Sequence, residues 1–438
     1  MTSADTKVSH SRILQLAWPI MLSNLSVPLV GAVDTAVTGY MDGPHHVGAI
    51  ALGALIFSIF FWGFGFLKMG TTGFVARAFG AGDHGEIQLT LLRAMLLACV
   101  LSLLLLVLQK PILWLSLHIL EASDRTEALT ATYYDIRIWS APASLGVYAI
   151  TGALIGLQKT RAALTIQLVL NLTNIGLNLL FVPVLKLGIP GVAWASVIAE
   201  YLSLAVALYL VRSQLRLDRQ TRARALRADA LVHLMSANVN IFIRTVCLTF
   251  AFSWFTVKSA GLGELVLAAN AILMNFQNIM AYGLDGFAAA AEGLGGQAFG
   301  ARHRRMFRDT VVKTTQWAGI FSLVAMAIYL LFGEPLLHLF TDQADVLDMA
   351  SDFLPWLIIS PILSVWSFQL DGIFIGSSQT RAMRNAMLVS TVIYLASLHF
   401  ALPHFGNHGL WLSLMIFMLA RAVTLIAYMP GVFRKLDD

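Results

Sequence analysis

Residues 153–162 read ALIGLQKTRA, and residues 373–382 read IFIGSSQTRA. An Ile-Gly pair and a Thr-Arg-Ala triplet recur in both stretches, and the step from Gly156 to Gly376 is called here the repeat displacement. AFGA at 78–81 and 298–301 follows the same displacement, and the glycines of LGIPGVAW (187–194) and FGNHGLWL (405–412) follow a slightly shorter one. Three ordered matches at nearly one displacement predict that one structural unit occurs twice in the chain.

Hydrophobic composition indicates where this repeated unit lies. Of the 438 residues, 58% are hydrophobic and 12% are charged, whereas soluble domains carry about 25% charged residues. Apolar runs long enough to cross a bilayer recur along the whole chain. There are twelve, at roughly 13–40, 47–78, 88–119, 128–157, 163–186, 189–212, 231–258, 264–299, 311–341, 347–376, 382–403 and 407–432. The sequence therefore predicts an all-α membrane protein with twelve transmembrane helices in two pseudo-symmetric six-helix bundles.

The domain organisation follows from the even number of helices in each copy. Both copies start on the same side of the membrane, so we expect a parallel repeat related by an axis along the membrane normal, with a cavity between the bundles. The predicted parts are an N-terminal lobe at 1–212, a cytoplasmic linker at 213–230 and a C-terminal lobe at 231–438. The charged linker is either a solvated tether or an amphipathic surface helix.

The net charge of +5 reflects membrane topology. Lysine and arginine collect in alternate loops, including the arginine-rich linker, and the opposite loops contain few of them. This positive-inside pattern places both termini in the cytoplasm and makes nucleic acid an improbable partner. The sequence contains no phosphate-binding loop, zinc-binding helix or nucleophile elbow, so we expect neither an enzyme nor a bound metal or cofactor.

Asp34 lies inside the first apolar run, without a basic residue within two helical turns on its own segment. Charged groups inside a membrane segment usually face the bundle interior and are functional. A carboxyl removed from water without a cationic partner favours its neutral form, which suits a proton switch. Pro19 and Pro28 in the same helix remove backbone hydrogen bonds and permit a bend. The alternative is a structural carboxyl satisfied by neighbouring polar side chains.

The fifth run carries Asn171, Asn174 and Asn178. Their spacing of i, i+3 and i+7 places the three amides on one helix face. They are candidates to hydrogen-bond Asp34 or to line a wet cavity, and interhelical packing is the alternative.

The second half has Trp254 at the position that the repeat displacement makes equivalent to Asp34. Its ionisable groups lie elsewhere, and the C-lobe candidates are Asp285, Glu292, Asp371 and Arg244, with Lys68 of the first half as a cationic partner. Asp285 and Glu292 share a helix face. We expect them to pair with Lys68 or Arg244 across the lobe interface, or to serve a cation.

These stretches together resemble the DinF subfamily of the multidrug and toxic compound extrusion (MATE) transporters over nearly the whole chain. The matching segments are PLVGAVDTAVTGY (28–40), FLKMGTTGFVARAFGA (66–81), IRIWSAPASL (136–145), VIAEY (197–201), AYGLDGFAAAAEGLGGQAFGA (281–301), LDGIFIGSSQTRAMRNAM (370–387) and GNHGLWLSL (406–414). The resemblance implies two bundles in a V shape around a central cleft, and a secondary antiporter that expels organic, cationic compounds in exchange for protons or sodium.

The resemblance also implies roles for individual residues. It places the proton site at Asp34, the bending proline at Pro19 and the nearby polar groups at Asn174 and Asn178. The chain departs from the subfamily at Asn178, where aspartate is common, which leaves Asp34 as the expected sole carboxylate of the N-lobe proton site. Lys68 stands where arginine is common, and we add Tyr40 to the expected substrate cavity.

The sequence thus predicts a monomeric, proton-coupled multidrug exporter of the bacterial inner membrane. Its partners would be small organic cations and the lipid bilayer. Protonation of Asp34 would rearrange its hydrogen bonds, let the first helix bend and expel the substrate. Two alternatives remain open: sodium coupling, and flipping of lipid-linked oligosaccharides, which would favour more arginines inside the membrane than this chain carries.

Overall fold

The computed structural model describes residues 8–39, 41, 43–120, 122–215 and 227–437. These residues are helical almost throughout, and no β-strand occurs among them. The helices are α1 (His10–Thr38), α2 (Pro44–Gly63), α3 (Gly65–Gly80), α4 (His84–Val107), α5 (Gln109–Leu120), α6 (Asp124–Arg137), α7 (Ala141–Gly156), α8 (Thr160–Leu179), α9 (Gly188–Val211), α10 (Ala228–Ala260), α11 (Glu264–Gly300), α12 (Arg304–Leu337), α13 (Ala344–Gly376) and α14 (Thr380–Asp437).

In the part of the chain that the structure describes, eleven stretches of helix are long and apolar enough to cross a membrane. The last of them, α14, joins two helices across a kink at Gly406, whose φ of 53° and ψ of −129° are not helical. Counting α14 as two spans confirms the predicted twelve. Three predicted runs are interrupted rather than continuous, because a turn follows α2, a break at Leu108 separates α4 from α5, and a short 3-10 turn (Ile138–Ser140) separates α6 from α7.

The backbone conformation repeats along with the sequence. Residues with left-handed φ values lie between the spans, and all of those described except Lys186 come in pairs related by the repeat displacement, or by the slightly shorter one in the last case. The pairs are Gly43 with Gly263, Gly82 with Arg302, Gln158 with Ser378 and Gly188 with Gly406. The N-caps of α4 and α12 follow the same rule, because Asp83 and His303 each accept a hydrogen bond from the backbone N–H three residues later. The structure therefore confirms the repeat at the level of single loop residues.

Internal contacts divide the chain into two compact units. The first comprises Met1–Met21, Ala76–Gly82 and Met235–Asp438, and the second comprises Leu22–Val75 and Asp83–Leu234. α1 begins in the first unit and ends in the second. The predicted lobe boundaries at 1–212 and 231–438 stay a prediction, and most of the linker (216–226) lies outside the described residues.

In the first unit, the start of α1 is attached to α11 and α12. Lys313 donates a hydrogen bond from its Nζ to the carbonyl of Val8 (2.6 Å), and the indole of Trp317 donates to His10 Nδ1 (3.0 Å). Gly286 of α11 lies directly against the α1 backbone near Ala17, where a larger residue would overlap it. These contacts hold the beginning of α1 in place.

In the second unit, α9 packs against α6, α7 and α8, and α6 packs against α2. Gly152 of α7 lies against the backbone of Lys68 in α3, and the equivalent Gly372 of α13 lies against Ala288 of α11 in the first unit. The repeat displacement relates both members of one pair to those of the other. Because glycine has no side chain, these helices approach backbone to backbone, as is common in membrane bundles.

The ends of α3 and α11 meet inside the first unit through equivalent residues. A Cβ added to Gly80 would overlap the carbonyl of Gln297, and one added to Gly300 would overlap the carbonyl of Arg77. The repeat displacement relates Gly80 to Gly300 and Arg77 to Gln297, so it exchanges the two contacts. The local pseudo-twofold axis of the repeat therefore passes between these two glycines. Neither obstacle is a movable side-chain end, so both glycines are required for this approach.

We expect Gly300→Ala to lower the midpoint of thermal unfolding in detergent, because the new methyl group must push the backbone of α3 away. Overpacking of this kind costs about 1–3 kcal/mol. Gly319→Ala is the matched control, since nothing lies within 4 Å of the Cβ position in the middle of α12. The close approach would be contradicted if Gly300→Ala melted at the wild-type temperature.

Candidate functional site

Asp34 lies near the end of α1, half-buried, and its carboxylate is bound by an amide from α8. Asn178 donates from Nδ2 to Asp34 Oδ1 at 2.6 Å and to Asn174 Oδ1 at 3.1 Å. Asn174 in turn donates to the hydroxyl of Ser196 on α9 at 3.0 Å. A continuous polar chain therefore runs from α1 through α8 to α9, between helices that are predominantly apolar.

The three asparagines of α8 form the buried row that their spacing predicts, each at most 5% exposed. The three amides do not all hydrogen-bond to the same partner. Asn178 binds Asp34, whereas Asn171 donates to Ser26 on α1 at 2.6 Å and accepts from Gln167 at 2.8 Å. Two amides of the row thus attach α8 to α1 at separate points along the helix, and Asn174 connects this contact to α9.

Arg137 brings a positive charge to this region. It is the last residue of α6, its guanidinium lies 5.5 Å from the ring centre of Phe57 on α2, and its buried Nη1 has no hydrogen-bond partner among the described residues. It lies within electrostatic range of Asp34 and of Glu200 on α9. Although α1 itself supplies no cation to Asp34, the neighbouring α6 does.

Glu200 bears on one expectation drawn from the sequence, which stays a prediction. Asp34 was expected to be the sole carboxylate of the N-lobe site, because asparagine occupies position 178. Glu200, only 9% exposed, is a second carboxylate within electrostatic range of Arg137, and Ser144 of α7 lies beside it. Glu200 and Arg137 stand out in the sequence as charges in apolar runs, but periodicity does not reveal that their helices face the same interior.

The other unit contains a separate buried cluster, centred on Asp371 of α13. One carboxylate oxygen, Oδ2, accepts hydrogen bonds from Arg244 of α10 and from Arg421 of α14, the latter at 2.6 Å. The exposed fractions are 6% for Arg244, 5% for Asp371 and 1% for Arg421. Arg421 also lies 5.6 Å from the ring centre of Phe417. This triad has a net charge of +1, and Asp285 of α11 lies within electrostatic range of Arg421.

Arg421 is the residue that sequence reasoning missed. A charge in the middle of the twelfth apolar run was a sufficient signal for it. Arg244, which the sequence offered as a partner for Asp285 or Glu292, forms its ion pair with Asp371 instead.

The remaining candidates have the following positions. Pro19 is buried in α1, Lys68 is half-buried in α3, Asp285 is half-buried in α11 and Glu292 is 8% exposed in the same helix. Tyr40 lies outside the described residues. The roles suggested for these residues stay predictions. Among the residues that the structure describes, no group of three or more His, Cys, Asp and Glu side chains is placed to hold a metal ion.

Comparison with known proteins identifies relatives of the whole chain. The MatE family model matches twice, at residues 19–180 and 241–398. The DNA damage-inducible protein F of Escherichia coli (strain K12) is 38% identical over 430 residues, covering 98% of this chain and 92% of the relative. The multidrug export protein MepA of Staphylococcus aureus (strain MSSA476) is 22% identical, covering 95% and 93%. A crystal structure of the Vibrio cholerae MATE transporter VcmN in the bent form matches the fold with a TM-score of 0.86 at 19% identity, covering 98% of each chain.

We expect Asp371→Asn to destabilise the protein strongly, because it leaves two buried arginines facing each other without a counter-charge. Breaking a buried ion pair by removing one partner costs about 3–5 kcal/mol. Asp229→Asn is the control, since its ion pair with Arg227 is 66% exposed on the Asp229 side, and it should leave unfolding unchanged. Chemical denaturation in detergent measures both, and equal stability of the two variants would exclude a structural role for the triad.

Proposed function

Because the chain belongs to the MatE family of multidrug and toxic compound extrusion transporters, we propose that it exports organic cations in exchange for protons, with Asp34 as the switch. Members of this family are transporters and not enzymes. The observation that carries the proposal is the hydrogen bond between Asn178 and the Asp34 carboxylate inside a membrane helix. A carboxylate in such a place changes its charge and its hydrogen bonding together when it takes up a proton.

The charge of the cluster supports a cationic substrate. With Asp34 and Glu200 ionised, two negative charges stand beside the single positive charge of Arg137, so the cluster carries a net charge of −1. An organic cation that enters this apolar region would supply the missing charge. After protonation of Asp34 the cluster is neutral, and the attraction for the cation is lost.

Hydrogen bonding supports the same sequence of events. In the observed arrangement Asp34 accepts from Asn178, and Asn178 Oδ1 is buried without a partner among the described residues. A protonated Asp34 has a hydroxyl that must donate, and the amide that already contacts it carries a suitable acceptor. Rotation of the Asn178 amide would satisfy the new donor but would break its bond to Asn174. Proton binding would also replace a charge-assisted hydrogen bond between α1 and α8 by a neutral one, which is about half as strong, and this weakens the connection between the two helices.

The loosened α1 is the element that would move. Pro19 and Pro28 each leave a carbonyl in α1 without its helical partner, which lowers the cost of bending. The start of α1 is attached to α11 and α12, so a bend would displace the end that carries Asp34. A proton shifts such an equilibrium only by its differential affinity for the two shapes, and the Asn178 bond supplies that difference.

We place the protein in the bacterial inner membrane with both termini in the cytoplasm, on the distribution of basic loops. We also propose that one chain is sufficient, because the internal repeat supplies both halves of a transporter. Sodium in place of the proton is the alternative coupling ion, and the assay below distinguishes the two.

We expect Asp34→Asn to abolish substrate-driven proton movement. The assay uses purified protein in liposomes with a trapped pH-sensitive dye, an imposed pH gradient, and ethidium as the organic cation. Wild-type protein should collapse the gradient faster when ethidium is added, with or without sodium. The variant should match protein-free liposomes, because its amide can still hydrogen-bond to Asn178 but cannot bind a proton.

Asp135→Asn is the matched control for this assay. Asp135 is a carboxylate of α6 that is 42% exposed and ion-paired with Lys110, so its loss should leave exchange at the wild-type rate. If Asp34→Asn exchanges as fast as wild type, Asp34 is structural. If exchange requires sodium in the wild type, the coupling ion is not the proton.

A further inference from the structure

Four helices of the second unit contribute polar side chains to the Asp34 cluster with the same spacing along the helix. Each contributes two polar side chains four residues apart, and therefore on one helix face. The pairs are Tyr133 and Arg137 on α6, Ser144 and Tyr148 on α7, Asn174 and Asn178 on α8, and Ser196 and Glu200 on α9. One polar layer joins Asp34 through the asparagines to Ser196 and Tyr133. Arg137 and Glu200 form a second layer, one turn further along their helices.

Arg137 faces both carboxylates of the cluster. The titratable groups within its electrostatic range are Asp34 from α1, Glu200 from α9, Tyr133 from its own helix and Tyr148 from α7. From α2 the guanidinium meets the ring of Phe57. Both carboxylates thus lie within electrostatic range of the same cation, and its buried Nη1 donor has no hydrogen-bond partner among the described residues.

Glu200 needs this cation whenever it is ionised. An ionised carboxylate that is almost completely buried is costly unless it is paired, and the polar Ser144 side chain beside Glu200 compensates only part of that cost. An ionised Asp34 likewise needs a cation, because Asn178 provides it with only a hydrogen bond. Since Arg137 cannot neutralise two carboxylates at once, the ionised cluster contains an unsatisfied negative charge that one proton removes.

We propose that Arg137 and Glu200 are positioning residues that set the pH at which Asp34 exchanges its proton. In the ionised state Arg137 is divided between Asp34 and Glu200. When Asp34 binds a proton it becomes neutral, and Arg137 pairs with Glu200 alone, so each remaining charge of the cluster has a partner. Glu200 thereby acts as a second N-lobe carboxylate that stays ionised while Asp34 titrates. This inference rests on the proposed proton switch.

The assignment predicts that removing the charge of Glu200 and removing the charge of Arg137 shift the midpoint pH of Asp34 protonation in opposite directions. Glu200→Gln frees Arg137 to bind Asp34, which favours the carboxylate and should lower the midpoint pH of Asp34 protonation. Arg137→Gln removes the cation that stabilises the Asp34 carboxylate, which should raise the midpoint. A charge at this range changes such a midpoint by about one pH unit or more. Arg137→Lys keeps the charge and should stay close to wild type.

The measurement is pH-difference infrared spectroscopy of the reconstituted full-length protein. The carbonyl band of protonated Asp34 is identified by its loss in Asp34→Asn, and its amplitude is followed against pH in each variant. Asp135→Asn, two residues before Arg137 on the same helix, is the control and should titrate as wild type. Because the band reports protonation and not transport, the result does not depend on the choice of substrate.

Each outcome decides between the possibilities. Opposite shifts in Glu200→Gln and Arg137→Gln, with Arg137→Lys near wild type, support the assignment. An Asp34 band that none of these variants moves, or that both move in one direction, overturns it and leaves the Asp34 switch intact. If no titrating band is lost in Asp34→Asn, the switch itself is wrong and the assignment fails with it. Should Glu200→Gln not fold, the comparison of Arg137→Gln with Arg137→Lys still tests the role of the cation.

Discussion

A polar group that a chain carries into a bilayer must find its partner within the protein, because lipid offers none. Most features of this structure follow from that constraint. Backbone groups are satisfied by helices, the few loop residues with left-handed backbone lie between the spans, and buried side chains join into networks. The networks around Asp34 and Asp371 differ in how completely they are satisfied. Asp371 has two guanidinium donors on one oxygen, whereas Asp34 accepts from the Asn178 amide and has Arg137 only within electrostatic range.

Under the proposed function, this difference separates a structural cluster from a titratable one. A carboxylate held between two arginines stays ionised, because each arginine stabilises its negative charge. Such a triad fixes α10, α13 and α14 against one another. The Asp34 cluster has more carboxylates than cations, so a proton or a substrate cation improves its balance. Both clusters consist of carboxylates and arginines, and the ratio of the two determines which cluster can respond to a ligand.

The sequence predicted the spans and the row of amides because both depend on local periodicity. Apolar run lengths located the twelve helices, and the spacing of the α8 asparagines determined one face of that helix. The partnership of Asp34 with Arg137 joins helices that are far apart in the chain. It depends on how α6 is rotated against α1 and α9, which periodicity within one helix does not specify. For the same reason, the ion pair of Arg244 with Asp371 was not foreseen and Arg421 was missed.

The two halves share backbone features but differ in their charged side chains. Loop conformations, caps and close glycine contacts recur at the repeat displacement, whereas Asp34 is replaced by Trp254, and Asp371 stands where the first half has Thr151. The repeated features are those that bring helices together without a side chain, so they constrain the fold and leave the charged positions free to diverge. Trp254 contacts Lys258, whose Nζ lies 5.0 Å from the ring centre of the indole, and the indole cannot bind a proton as a carboxylate does. A repeat of this kind therefore yields one scaffold whose copies carry differently charged clusters, and under the proposed function this asymmetry gives the proton a defined place to act.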